Sequence, residues 1–418
     1  MKKLFYSLFL LFLTLHPLQA QNSRVYADYV KTLQVIANED VLQPPIINLG
    51  GNNVVDIGFD ILSHDYHRLI YKVEHCNADW TPSTDIFESD YLEGFNGQVI
   101  EDVENSFNTN LLYTHYRIRI PNSDVSLKLS GNYKVHVYRD EEGADPDQPL
   151  LTACFSVVEP EVGISASVSS NTDIDFNKTH QQLSFSINYS TLTVNDPIRE
   201  LKTVVMQNRR TDNWVINPKP DVQKVNTLEY LHNRQLIFDA GNEFHKFEIL
   251  GFNRANMNVD QIQWYDPYYH VILNEDRPQK NYIFENDQNG AAVVRNEDNS
   301  DNETTSEYVW VHFTLKSPEL SSGQLYIAGN WTYNQFTPEY RMSYNQKTQA
   351  YEASLLLKQG YYNYQYLLVA PGTTSGKSVV DGDFFQTENE YIVLVYHRSP
   401  GERYDRLVGY RKMNYVGQ

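Results

Sequence analysis

The sequence predicts an all-β protein of three tandem immunoglobulin-like or early-set β-sandwich domains that follow a cleaved signal peptide. No long window carries an apolar stripe at helical spacing. The 31 tyrosines favour pleated, half-buried surfaces. Many short segments separated by turn residues are typical of β-sandwiches, and apolar and polar residues alternate here at 54–61, 69–76, 116–120 and 133–138.

Residues 1–20 have the features of a signal peptide. Lys2 and Lys3 precede an apolar stretch at 4–15, and a small-residue cleavage site follows at 18–20. The apolar stretch is shorter than the ~20 residues that span a bilayer. We therefore expect cleavage at the end of this segment and an exported mature chain that does not span a membrane.

The net charge argues against two classes of partner. The formal charge is −19 at pH 7, whereas nucleic acids and anionic membranes attract basic surfaces. We expect a monomer that binds no nucleic acid. The acidic charge also suits a basic protein partner, although charge alone does not name one.

Composition and pattern divide the chain into ranges. The first sandwich is expected to contain a long polar loop at 77–110, and loops of that length are usually functional or disordered. The composition of one segment, rich in Asn, Asp and Glu, predicts an acidic linker. The last residues are predicted to form a basic tail. The predicted ranges are 23–158, 161–283 and 306–396 for the sandwiches, 284–305 for the linker and 397–418 for the tail.

The third range has a recognisable internal order. A strand-like segment at 324–329 leads into Asn330 and Trp331, and Gly-Tyr-Tyr-Asn-Tyr follows at 360–364. This order resembles the early-set modules that accompany glycan-active enzymes. Because small sandwiches carry many unrelated functions, the resemblance predicts a fold and no activity.

Several ordered motifs match no catalytic signature of hydrolases, metalloproteases or nucleotide-binding proteins. The set resembles the plug protein family of the type IX secretion system, and it spans nearly the whole chain. The motifs are HCNADW at 75–80, YTHY at 113–116, IPN at 120–122, LSGNY at 129–133, GDFF at 382–385, TENEY at 387–391 and RYDRL at 403–407.

The resemblance implies a function without catalysis and without a cofactor. Plug proteins are periplasmic, and they close the periplasmic opening of the outer-membrane β-barrel translocon that exports folded cargo. The implied mechanism is steric, because a rigid tandem of sandwiches occupies the opening.

Candidate partner contacts lie in two segments. In the long loop, Trp80, Tyr91 and Phe95 stand among acidic residues, which is what a steered protein–protein contact needs. A structural role for Trp80 as a lid over the first sandwich is the favoured alternative. In the tail, Arg403, Tyr404 and Arg406 are residue types enriched at interfaces, although we expect the tail to fold back on the protein's own acidic surface.

Two other function classes stay open at this point. A glycan-binding protein would use Trp331, Tyr333, Phe336 and Tyr340 as an exposed aromatic platform. A periplasmic hydrolase would need a pair of carboxylates across a cleft, which sequence alone does not identify.

The two cysteines also leave two interpretations open. An oxidising compartment permits a disulfide between Cys76 and Cys154, and closing that loop would contribute about 4 kcal/mol in the chain-entropy model. The alternative is a pair of buried thiols that pack as small apolar side chains.

Overall fold

The computed structural model describes residues 23–417 except 142, 144 and 146, so the predicted signal peptide lies outside the described residues. The chain is 46% β-strand and 5% helix, which confirms the all-β class. The α-helices described are single turns, and they are α1 (Glu88–Tyr91), α2 (Pro197–Glu200) and α3 (Asn302–Thr305).

The strands of the first part of the chain alternate apolar and polar residues, as the sequence predicts. In order they are β1 (Arg24–Val25), β2 (Val30–Ala37), β3 (Ile46–Asn48), β4 (Val55–Ile61), β5 (Leu69–Cys76), β6 (Leu92–Gly94), β7 (Gln98–Val99), β8 (Asp102–Asn105), β9 (Thr114–Ile120), β10 (Val125–Leu127), β11 (Gly131–Arg139) and β12 (Leu151–Val158).

The following strands run to the middle of the chain. They are β13 (Gly163–Ser169), β14 (His180–Asn188), β15 (Leu201–Gln207), β16 (Val215–Ile216), β17 (Val222–Lys224), β18 (Thr227–Tyr230), β19 (Ile237–Asp239), β20 (His245–Ile249), β21 (Val259–Tyr265) and β22 (Tyr268–Leu273).

The last strands complete the set. They are β23 (Ala292–Val294), β24 (Tyr308–Leu315), β25 (Gln324–Ala328), β26 (Ser343–Asn345), β27 (Ala350–Lys358), β28 (Gly360–Val369), β29 (Gly376–Lys377), β30 (Asn389–His397) and β31 (Arg406–Tyr415).

The first sandwich packs two sheets around one apolar core. One sheet has the order β1-β12-β11-β5-β7, with β3 parallel to β12, and the facing sheet has the order β2-β4-β9-β8. Stacked ring pairs fill the space between them, with Phe59 on Tyr116 and Tyr133 on Phe155 at centroid distances of 5.4 and 5.5 Å. Such offset pairs add to the apolar area that the core buries.

The second sandwich takes half of one sheet from the far end of the chain. Its first sheet is β13-β14-β18-β17, with β19 on β14, and its second is β16-β15-β30-β31. Strand β30 pairs with β15 from Leu201↔His397 to Gln207↔Tyr391. The predicted basic tail at 397–418 is therefore largely an edge strand of this sheet.

The third sandwich contains strands that the sequence placed in the second. Its sheets are β20-β28-β23, with β25 and β29 also on β28, and β21-β22-β24-β27-β26. Strand β23 and helix α3 lie inside the predicted linker at 284–305. We group the chain into 23–158, 163–240 with 389–415, and 245–380, and the predicted boundaries at 283, 306 and 396 do not coincide with these groups.

Candidate functional site

The motifs near both ends of the sequence meet where the first sandwich adjoins the second. Strands β5 and β11 are neighbours with Cys76 opposite Asn132, so the turn after β5 lies beside the turn before β11. The segment before β31 reaches the same place, since Ala78 N donates to Asp405 Oδ2 over 3.0 Å. Motifs separated by more than 300 residues thus form one cluster.

Asp405 is the central anion of this junction. It is buried, and its carboxylate accepts hydrogen bonds from Lys202 Nζ at 2.8 and 2.9 Å. Arg398 Nε lies 2.9 Å from Asp405 Oδ1, and the Arg398 guanidinium also donates to Asn77 Oδ1. One carboxylate therefore joins the turn after β5 of the first sandwich to β15 and to the segment after β30 in the second. The bonds from Lys202 and from Ala78 N are charge-assisted hydrogen bonds, which are the strong kind.

His75 fills the space beneath this anion as a neutral ring. Burial lowers the pKa of His75 to about 4, so Nε2–H donates to the Ser130 carbonyl over 3.0 Å. Tyr404 packs edge-on against the ring at 5.3 Å. Gly131, at φ +138°, allows this approach, because a Cβ there would lie 2.5 Å from His75 Nε2.

Trp80 belongs to the same junction and is only 1% exposed. It ends a turn at φ +64° whose N–H donates to Asn77 O over 2.9 Å, and its carbonyl accepts from Lys134 Nζ at 2.8 Å. A side chain this buried presents almost no surface to a partner. The lid role that the sequence favoured for Trp80 stays a prediction.

The loop after Trp80 presents two apolar side chains to solvent. Phe87 and Phe95 are 75% and 78% exposed. Glu88 ties the two halves of the loop together, accepting from Asn96 N at 3.2 Å and from Asn96 Nδ2 at 2.9 Å. Tyr91 is half-buried and donates to Val73 O over 3.2 Å. We call residues 85–96 the rim loop.

The arginines of the tail fold back on the protein's own acids. Arg403 Nη2 lies 3.0 Å from Asp90 Oδ2 on the rim loop. Arg406 pairs with Glu159 at 2.7 Å and Glu161 at 2.9 Å, and Tyr404 is half-buried. Of the six predicted interface residues, Phe95 and Arg403 present the most surface to solvent.

The motifs at 382–391 fasten the chain segments that connect the second sandwich with the third. Asp383 Oδ1 accepts from Gly241 N at 2.8 Å, and Gln181 Nε2 donates to Thr387 O at 2.8 Å. Asn389 Nδ2 donates to the carbonyl of Ala240 at 2.8 Å. These buried amides bridge the chain ends that enter and leave the third sandwich.

A buried histidine fastens the segment that leaves the third sandwich. His245 Nε2 lies 3.1 Å from Asp381 Oδ1, and its Nδ1 lies 3.3 Å from Asp276 Oδ1. Burial opposes the charge, but the two carboxylates outweigh it and raise the pKa of His245 well above its usual 6.5. The ring is thus a cation shared by two acids.

A buried ion cluster joins the first sandwich to the third, and sequence analysis missed it. Asp60 on β4 accepts from Lys358 Nζ on β27 at 2.7 Å and from Tyr308 Oη on β24 at 2.6 Å. His115 Nδ1 lies 2.7 Å from the other carboxylate oxygen. Burial raises the pKa of Asp60, but Lys358 and His115 outweigh it and hold the pKa below 3.8. Asp60 lies in a strand whose apolar and polar residues alternate in the ordinary way. The local sequence therefore gives no indication of its distant partners.

The four aromatic residues that a glycan-binding protein would use do not form an exposed platform. Trp331 packs edge-on against Tyr362 and Tyr340, with interplanar angles of 84° and 88°, and its Nε1–H donates to Asn363 O over 2.8 Å. Tyr333 donates to Leu33 O of the first sandwich at 3.1 Å, and Phe336 lies tilted against Tyr326. These side chains pack within and between domains.

No disulfide joins Cys76 and Cys154, and both side chains are buried. The two residues lie on β5 and β12, and β11 runs between those strands. Two strand spacings amount to about 9.6 Å, beyond the ~7 Å between Cα atoms that a disulfide spans.

Over the residues that the structure describes, no cluster of three His, Cys, Asp or Glu side chains could hold a metal ion. None of the helices described there is long and apolar enough to cross a membrane.

Comparison with known proteins identifies the family. The family model described as "Type 9 secretion system plug protein 1st domain" matches residues 30–159, which is the first sandwich. The chain belongs to the type IX secretion system plug protein family. This is a family of non-enzymatic secretion components.

A solved structure extends the likeness over the other two sandwiches. The crystal structure of a hypothetical protein from Parabacteroides merdae ATCC 43184 is 43% identical, with a TM-score of 0.92. The match covers 95% of this chain and 100% of that one. No curated protein matches the chain.

Proposed function

We propose that this protein is a periplasmic plug that closes, by steric occlusion, the periplasmic opening of the outer-membrane β-barrel translocon of the type IX secretion system. Membership of the plug family supports a role in that system. The observation that carries the steric mechanism is the set of buried polar contacts, here called locks, at the junctions of the sandwiches, built on Asp405, Asn389 and Asp60.

A stopper has to keep its shape while cargo and solvent press on it. Asp405 joins the first sandwich to the second, and Asp60 joins the first to the third. Asn389 holds together the two chain segments that connect the second sandwich with the third. Breaking a buried pair leaves an uncompensated charge, which makes relative movement of the domains costly. The arrangement therefore favours a single rigid body.

We propose that the rim loop is part of the surface that meets the translocon. Phe87 and Phe95 offer apolar anchors, and acidic residues surround them, with Glu88, Asp90 and Glu93 nearby in sequence. An apolar contact inside an acidic field fits a partner surface with basic residues around an apolar depression. The contact has to be moderate in size, because a plug must be released.

Affinity capture from detergent-solubilised outer membranes tests the proposal, with the tagged mature protein as bait. We expect recovery of one very large barrel protein, and recovery that declines as NaCl rises because salt screens the acidic field. Failure of the wild-type protein to recover the barrel at low salt would overturn the plug assignment.

Matched variants test the rim loop separately. Phe95→Ser should reduce recovery of the barrel, and Phe107→Ser should not, although Phe107 is also exposed, at 66%. Equal loss in both variants, or no loss in either, would remove the rim loop from the contact surface and leave the plug assignment standing.

A further inference from the structure

Strand β13 forms an edge of the second sandwich and has no charge, proline or bulge of its own to protect that edge. It pairs with β14 over all 7 residues and without a register shift, and β14 is the one strand hydrogen-bonded to it in the sheets described. Strand β31 of the facing sheet lies nearby, and just before β13 the N–H groups of Glu161 and Val162 donate to Val408 O at 2.8 and 3.1 Å. Its sequence, Gly-Ile-Ser-Ala-Ser-Val-Ser, has no charge and no proline. Unpaired amide and carbonyl groups on such an edge are a template for another strand.

Other edges of the described sheets carry protective features. Natural edges are blunted by charged residues, bulges or short length. These features appear as the 3-residue β17 with Lys224, the acidic β8 with Asp102 and Glu104, and the register shifts in β2 and β21.

The sequence of β13 is also symmetrical about its centre. Counting outward from Ala166, the first neighbours are both serine, and the second neighbours are Ile164 and Val168. In an antiparallel pair of two copies centred on Ala166, each Ile164 lies opposite Val168 of the other copy. β-Branched side chains directly opposite each other stabilise a sheet.

The two faces of β13 fit this pairing. Ile164, Ala166 and Val168 pack against the core of the second sandwich, whereas the serines between them are exposed. An open groove of about 440 Å³ lies between β13 and the end of β31, lined by residues 166–170 and 413–416. A second strand can therefore approach this side of the sandwich.

We propose that β13 is a self-association edge, at which two copies of this chain pair antiparallel through a two-fold axis at Ala166. The symmetry of the strand is what selects a second copy over an unrelated strand, because an isologous contact requires a self-complementary surface. The proposal does not rest on the plug assignment.

Charge and size make this dimer weak. Each copy carries a formal charge of −19, so the copies repel at low salt. A single strand pair also falls in the class of small interfaces, below ~1,200 Å². We therefore expect self-association to strengthen as NaCl rises, which is opposite to the salt dependence expected of the translocon complex.

Cysteine cross-linking tests the register directly. The two Ala166 positions would meet on the axis at roughly 4.5–5.5 Å between Cα atoms, within disulfide range, so Ala166→Cys should give a covalent dimer under mild oxidation. Ser169→Cys is the matched control, because those positions would lie about 20 Å apart. Cross-linking of Ala166→Cys no faster than Ser169→Cys would overturn the proposal.

Sedimentation equilibrium tests the edge itself. Ser167→Lys should abolish the concentration-dependent dimer, whereas Gln223→Lys, a neutral-to-lysine change on the opposite edge of the same sheet, should keep it. Thermal melts by circular dichroism check that both variants fold. A wild-type protein that stays monomeric at high salt, or a dimer that survives Ser167→Lys, would contradict the pairing.

Discussion

Lys358 Nζ lies 2.7 Å from Asp60 Oδ2, so a cation of the third sandwich pairs with a carboxylate of the first across 298 residues of chain. Both side chains are almost fully buried, at 1% and 0% exposed. The Lys358 ammonium also donates to the Glu303 carbonyl and lies 4.1 Å from the centre of the Tyr113 ring. The pair fastens two domains that are not consecutive in sequence.

Removing the cation of this pair should destabilise the protein strongly. Lys358→Met leaves Asp60 buried without its main cationic partner, and such a change typically costs about 3–5 kcal/mol. Urea unfolding measures the loss. Arg68→Met is the control, because Arg68 and Asp140 form a pair of similar length at the surface, where pairs contribute about 0–1 kcal/mol. A loss for Lys358→Met as small as the control would contradict the lock.

The same cluster should make the stability of the protein depend on pH in the acid range. Because the net effect of Lys358 and His115 holds the pKa of Asp60 below 3.8, its contribution is present above that pH. The contribution is lost as pH falls through the lowered folded pKa. Unfolding midpoints measured from pH 6 downward should fall more steeply for the wild type than for an Asp60→Asn, Lys358→Met double variant. Parallel curves would argue against a paired Asp60.

Asp405 should control the junction of the first and second sandwiches. Asp405→Ala removes the acceptor of Ala78 N and the partner of Lys202 and Arg398, so we expect faster hydrogen exchange at the amides of 77–80. Arg403→Ala, which removes a pair at the surface, should leave that exchange unchanged. Unchanged protection in Asp405→Ala would show that the turn is held by other contacts.

Glu243 should lower stability at alkaline pH. Burial raises its pKa to about 7, with Asp287 and Glu388 adding to the shift. A raised carboxyl pKa means that the contribution is present below the ordinary value of 4.5 and is lost as pH rises towards 7. Glu243→Gln keeps an acceptor for Tyr282 and should stabilise the protein by about 1–3 kcal/mol at pH 8.

The control for the Glu243→Gln variant is the same measurement at pH 4. At pH 4 the wild-type carboxyl is protonated, so Glu243→Gln and the wild type should melt at nearly the same temperature. A stability gain that is equal at pH 4 and pH 8 would contradict ionisation as its cause.

The two cysteines should behave as protected thiols. Burial raises the pKa of Cys76 far above its usual 9.0, and a thiol rather than a thiolate is a poor nucleophile. A thiol-reactive dye should label neither cysteine in the folded protein and both in urea. Melting temperature should not change with reductant, and a drop on reduction would indicate a disulfide.

Local patterns in the sequence predicted the strands and the family, but not how the strands are distributed among the sandwiches. Alternation identified 69–76 and 133–138 as strands because period 2 is a property of a single segment. The paired strands β15 and β30 are nearly two hundred residues apart in sequence. Nothing in the sequence of either strand identifies the other as its partner. For this reason the tail and the strands at 245–273 were placed in the wrong units.

The motifs were easier to recognise than to interpret. Their unusual residues identified the family, and the structure shows that the motifs at 75–80, 129–133, 382–391 and 403–407 lie at domain junctions. The roles of His75, Gly131 and Asp405 depend on one another. Gly131 has no side chain at the place where the His75 ring lies, and Asp405 supplies the negative charge of the same junction. Trp80 was a candidate partner contact and is buried, whereas the exposure of Phe95 was not evident from its neighbours.

Single-channel conductance of the purified translocon in a planar bilayer tests the central claim most directly. Addition of the wild-type protein on the periplasmic side should close the channel, and addition on the opposite side should not. Closure should be weaker at high salt and with Phe95→Ser. A translocon that binds the protein and conducts as before would contradict steric closure.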